Sequence, residues 1–210
     1  MRCAPLLVAL LMAALPKAAA ADEAAEARAA IGDDMRAYYG SEKDTASTFG
    51  ALGVASVGLG VVFAAHDDDF SRGLGWSMLS LGAFEAIGAA FYGLQVDGEA
   101  VDYAETLARD PLVFRQREAA HIHGTTSRFV VYRLSELAVS VAGTGVATYG
   151  FLTGREVWAG AGIGIAVEAA TFLVLDSLGQ SRARDYEERI HRFEPPVIVH
   201  LDVGGVSGTF

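Results

Sequence analysis

The chain has 210 residues, 52% of them apolar and 20% charged, with a formal net charge of −10 at pH 7. Its length fits one compact unit. The acidity argues against nucleic acid as a partner, because phosphates call for clustered Lys and Arg. The apolar residues come in long blocks and the mean hydropathy is positive, which points to a membrane protein rather than a soluble domain.

The N-terminus reads as a cleaved signal peptide over 1–21. Arg2 supplies the positive start, Leu6 to Leu15 the apolar stretch, and Ala18 to Ala21 a small-residue cleavage site before Asp22. About ten apolar residues reach only about 15 Å along a helix, half a bilayer core. Cys3 is the single cysteine and leaves with this segment. The mature chain is therefore expected to lack disulfides, thiol nucleophiles and thiolate metal sites.

Residues 22–39 predict an amphipathic lead-in helix. Ile31, Met35 and Tyr38 form its apolar stripe, and Gly40 is its expected C-cap. Thr45 or Ser47 is the expected cap of the next helix. Residues 49–65 form the first span, borrowing length from Ala46 to Thr48, and His66 to Arg72 a short polar turn. Residues 73–95 form the second span, interrupted as a charge only by Glu85, and a helical extension continues through Asp97 to Asp110.

Pro111 begins a second lead-in helix expected to end near Gly124. The third span covers 129–152, with Arg133 and Glu136 near its entry, and Thr153-Gly154-Arg155 makes a tight turn. The fourth span covers 157–179, with Glu168 central and Asp176 near its exit, and runs on as a charged helix over 180–193. Residues 194–210 form a short extended tail after Pro195-Pro196. The spans lack the alternation of barrel strands and are over twice their length, so helices are expected.

A shift of 83 residues brings the second half into register with the first. Arg72 falls on Arg155, Glu85 on Glu168, Asp102 on Asp185, Tyr103 on Tyr186, Glu105 on Glu188 and Arg109 on Arg192. The expectation is an all-α membrane protein of four transmembrane helices, built as two repeated hairpins over 22–110 and 111–193 with amphipathic helical extensions. Similar Ala- and Gly-rich hairpins would also resemble one another without duplication. An exported N-terminus and Arg72 and Arg155 at the turns favour turns in the cytoplasm. That places the N-terminus, the 96–127 loop and the C-terminus in the periplasm of a bacterial inner membrane.

Glu85 and Glu168 lie near the middle of their spans, where a carboxylate costs at least a few kcal/mol and should face the bundle interior. Two such acids facing each other would share a proton or bind a cation. Alternatively they are polar glue between helices. Glu136 either extends that polar track or pairs with Arg133. Ser56, Gly60 and Ala64 on the first span, and Gly160 and Gly164 on the fourth, have the small-residue spacing of close helix packing, within one chain or between copies. Ser140, Thr144 and Thr148 share one face of the third span.

His121 and His123, two apart on a helix, point to different faces and do not suggest a metal. Asp67 to Asp69 lack the glycine and spaced oxygens of a calcium loop. The glycine runs lie in apolar spans without a phosphate-binding Lys. No hydrolase constellation is evident, so no catalytic residue, metal or cofactor is assigned. The leading expectation is a non-enzymatic component of a bacterial-type cell envelope, a scaffold or assembly subunit. Its expected partners are the lipid bilayer, further copies of itself or other envelope membrane proteins. The alternative is a small proton- or cation-coupled transporter or channel using Glu85 and Glu168.

Overall fold

The computed structural model describes residues 4–195, 200–202 and 205–207, with side chains over 22–195. Four helices follow in chain order: α1 (Ala4–Ala64), α2 (Asp69–Arg109), α3 (Pro111–Thr153) and α4 (Glu156–Arg192). Two short strands, β1 (His200–Asp202) and β2 (Gly205–Ser207), pair antiparallel within the predicted extended tail, with Leu201 opposite Val206. The tail residues Val197 to Val199 lie outside the described residues.

Each helix is long and apolar enough to cross a membrane. At 1.5 Å per residue, helices of about 40 residues measure about 60 Å, twice a bilayer core of about 30 Å. Each helix therefore has length for a span and for an equally long stretch beyond it.

The helix ends follow from local chemistry. Asp68 caps α2 by accepting from Ser71 N at 2.8 Å. Asp110 caps α3 by accepting from Leu112 N and Val113 N, each at 3.0 Å, with Pro111 in the first helical position. Gly154 ends α3 at φ 64°, a left-handed conformation that costs glycine little.

Two expected breaks are absent. The lead-in helix 22–39 does not stop at Gly40, and the helix from Pro111 does not stop near Gly124; α1 and α3 run straight through both. A glycine inside a helix costs about 1 kcal/mol. Buried residues on both sides, Tyr39 and Glu42 around Gly40, and Ile122 and Thr126 around Gly124, offset that cost. Thr45 does not act as a cap: its hydroxyl donates to Ser41 O at 2.8 Å, within the helix. Ser47 also lies inside α1, and α2 begins within the predicted 66–72 turn. The predicted signal segment adjoins the rest of α1 without a break from Ala4, and its side chains lie outside the described residues.

Burial inverts along each helix. In the predicted spans the large apolar side chains point outward: Phe84 is 78% exposed, Leu152 82% and Val54 65%. Beyond the spans they point inward, and Ile31, Met35, Tyr103, Leu107, Phe114, Ile122, Tyr186 and Ile190 form one buried core. Water would oppose the first arrangement and drive the second.

Small residues hold the span region together. α1 packs chiefly on α2, α3 on α4, and α2 on α4, giving the lateral order α1–α2–α4–α3. Near the two turns α2 and α4 nearly touch backbone to backbone: a Cβ on Gly160 would lie 1.9 Å from Phe70 O, and one on Gly73 2.0 Å from Val157 O. At the opposite end the helices close into a four-helix bundle. There Tyr38 stacks on Tyr186 at 4.4 Å, and Tyr103 meets His121 at 5.5 Å and Phe114 at 6.3 Å.

Candidate functional site

Between the glycine contacts and the bundle core the four helices diverge. The gap is a cavity of about 550 Å³, partly open to the outside. It takes its walls from α1 around Glu42 and Phe49, α2 around Tyr92, α3 from His121 to Glu136, and α4 around Phe172 and Asp176. The volume falls in the range of small-molecule sites. Phe49 and Phe172 stack across it at 5.6 Å, so two of its walls touch through rings.

Four carboxylates line this cavity: Glu42, Glu99, Glu136 and Asp176. Glu42 is 4% exposed. It accepts from the Tyr92 hydroxyl on Oε2, while Oε1 has no partner. Burial raises the Glu42 carboxyl above its ordinary range, opposed by the Tyr92 hydroxyl and the Arg182 guanidinium. Glu136 and Asp176 sit within hydrogen-bonding reach of each other when one carries a proton, and Glu136 Oε2 is likewise buried without a partner. Glu99 at the bundle side meets His121 Nε2 at 3.4 Å.

The nearby cations are largely engaged elsewhere. Arg133 donates to Gln180 Oε1 and Ser177 Oγ rather than to Glu136. Arg182 is tied to Thr45 Oγ1 at 2.9 Å and Ser41 O at 3.5 Å. Arg128 is the only guanidinium in the described cavity wall.

Glu85 and Glu168 lie elsewhere, on α2 and α4 outside this cavity wall. Both are 6% exposed, so both face protein. Both Glu85 oxygens lack a hydrogen-bond partner, and Glu168 is near enough for its charge to act on Glu85. Glu136 is not brought to that pair; it faces Asp176.

The small-residue positions all meet neighbouring helices of the same chain. Ser56 lies against Gly82, Gly60 against Gly75 and Leu79, and Ala64 against Gly75. Gly160 meets Phe70 and Leu74, and Gly164 meets Ser77. Thr144 and Thr148 instead donate back to Ser140 O and Thr144 O at 2.9 and 2.8 Å, which leaves an outward face with satisfied hydroxyls.

A further buried acid, Glu118, occupies the bundle core. It is fully buried and accepts from the Tyr39 hydroxyl at 3.0 and 3.2 Å. The Tyr186 hydroxyl also acts on this carboxylate but meets no hydrogen-bond geometry, so it stands as a buried hydroxyl without a partner. Burial pushes the Glu118 carboxyl up to about 7, against the opposing pull of Tyr186 and Tyr39.

His123 meets Glu187 at 3.0 Å while His121 meets Glu99, so the two histidines do diverge. Among the described residues no three His, Cys, Asp or Glu side chains converge as a metal site.

These features define a helical protein with four helices long and apolar enough to cross a membrane, and a largely apolar cavity between them that carries four carboxyl groups. No family model, curated protein or solved structure matches the chain.

Proposed function

We propose that the chain is a non-enzymatic integral membrane component of a bacterial-type cell envelope, with α1 to α4 crossing the bilayer and the bundle projecting from it as a rigid head. The observation that carries this reading is the inversion of burial along each helix. A hydrocarbon solvent around one half and water around the other accounts for it. The continuity of α1 and α3 through Gly40 and Gly124 supports a head that moves with its spans.

An internal duplication fits the same picture. Tyr38 on Tyr186 and His121 on Tyr103 are equivalent pairs under the 83-residue shift. So are the Arg189 contact with Asp34 and the Arg117 contact with Thr106. The small-residue faces are occupied by the chain's own helices, which leaves the head as the surface for envelope partners and the outward apolar residues for lipid or further copies.

The test is in-cell crosslinking from head positions Gly98 and Gly124, followed by membrane purification and mass spectrometry. A recurrent adduct with another envelope protein, or with a second copy, supports a scaffold role. Absence of any adduct at native expression opposes it.

A second reading has one observation in its favour. Glu85 is a buried carboxylate with no hydrogen-bond partner beside a second buried acid, Glu168, as in a proton- or cation-coupled transporter. Glu85→Gln and Glu168→Gln should abolish proton flux in proteoliposomes if that reading holds. Interhelical polar packing would largely survive both changes.

A further inference from the structure

We propose that the cavity between the four helices is a binding site for a monovalent organic cation with an aromatic or branched apolar body. The inference goes beyond the envelope role and rests only on that reading's membrane-crossing helices. It also makes no use of Glu85 or Glu168.

Three properties of the cavity select this class of ligand. First, its size admits a small organic molecule. Second, its charge is one-sided. Four carboxyl groups line it, Glu136 and Asp176 as a pair that shares a proton, against Arg128 in the wall and Arg133 and Arg182 behind it, both tied to other groups, while His121 is spent on Glu99. An anion would meet net repulsion there. Third, two carboxylate oxygens are buried without a partner, Glu42 Oε1 and Glu136 Oε2. A buried acceptor left unmade costs about 1–3 kcal/mol, and more when charged. A cation beside either oxygen would offset the cost of its buried charge by ion pairing.

The aromatic walls decide between an organic and an inorganic cation. Phe49, Phe129 and Phe172 line it with aromatic carbon, Phe49 and Phe172 stacked on each other, and Tyr92 adds a ring beside Glu42. Ring faces attract cations, most strongly where water is excluded. They cannot replace the oxygen ligands of a hard metal ion, which needs about six or more. A large, weakly hydrated cation matches both the acids and the rings. The cavity also straddles the predicted exits of the spans, since Phe49 and Asp176 lie near span ends and Glu42 beyond one. An amphiphilic cation partitioning at the bilayer surface would reach it without crossing the hydrocarbon.

The experiment uses the full chain in lipid nanodiscs with tetraphenylphosphonium as the probe and calorimetric titration against empty nanodiscs. Tetraphenylborate, of similar shape and opposite charge, is the control. The expected result is saturable binding of one tetraphenylphosphonium per chain and no saturable binding of tetraphenylborate. Affinity should fall about tenfold or more in Glu42→Gln and in Glu136→Gln, each shown to be folded by its melting curve. No saturable binding by the wild-type chain would overturn the proposal. So would equal binding of tetraphenylborate, unchanged affinity in the folded variants, or a co-purifying lipid that the probe fails to displace. The borate comparison uses only the wild-type chain and decides the matter even if a variant fails to fold.

Discussion

Adding one methyl group at Gly160 should loosen the junction between the two hairpins. A Cβ there would lie 1.9 Å from Phe70 O and 2.8 Å from Leu74 N, both backbone atoms of α2. Neither can rotate away as a side chain would. Ordinary contact begins at 3.4 Å, so α2 and α4 must separate locally by about 1.5 Å, an overpacking that costs about 1–3 kcal/mol. Alanine returns about 0.5–1 kcal/mol of helix propensity. The net loss at mid-range is then about 1 kcal/mol, or about 2–5 °C in melting temperature for a chain of this size. Gly145 is the matched control: it lies on α3, and nothing approaches its missing Cβ within 4 Å. Gly145→Ala should leave the melting temperature unchanged or raise it slightly. The assay is thermal unfolding of both variants in the same detergent, followed by circular dichroism. Equal melting temperatures for Gly160→Ala and Gly145→Ala would refute the close α2–α4 contact.

Three further outcomes follow from the bundle and its caps. The folded-state carboxyl of Glu118 is raised to about 7 from an unfolded value of 4.5, so its proton is bound more tightly when folded. The associated stability is fully present below about pH 4.5, declines as pH rises to about 7 and is level above that. Glu118→Gln should flatten the fall in melting temperature between pH 5 and pH 8, and an unchanged pH profile would show that Glu118 is not the titrating group. Phe114→Ala removes a fully buried ring and should destabilise by about 3–5 kcal/mol in denaturant titration; a loss under about 1 kcal/mol would mean the head is not a packed core. Asp110→Ala removes the acceptor for Leu112 N and Val113 N and should cost about 1 kcal/mol in the same titration, whereas no change would mean water serves those donors equally well.

The long apolar blocks made the four helices fit to cross a membrane legible, because hydrophobic runs of that length have few other solutions. The Asp110–Pro111 junction and the Gly154 turn were equally legible, since each is encoded in two or three adjacent residues. The breaks at Gly40 and Gly124 were misread for a physical reason. A glycine signals a stop only when nothing packs on both sides of it, and the packing here comes from helices distant in sequence. Glu42 and Glu118 were missed although a signal existed. Glu42 continues the Ile31, Met35, Tyr38 stripe by one turn. Glu118 is what Met35 becomes under the 83-residue shift, a position that the stripe marks as buried. The approach of Asp176 to Glu136 carried no sequence signal, because it depends on the register between α3 and α4. Glu85 and Glu168 stood out because a lone charge inside an apolar run is conspicuous, whatever it faces.

The central claim, that each helix is half membrane span and half projecting head, is tested most directly by side-specific cysteine labelling. In a Cys3→Ser background, single cysteines replace Gly98 and Gly124 in the head and Asp67 and Thr153 at the turns. A membrane-impermeant maleimide is applied to intact and to permeabilised cells. The account predicts that the two head positions label in intact cells with a permeable outer membrane, and that the two turn positions label only after the inner membrane is opened. Labelling of all four positions from the same side would contradict it.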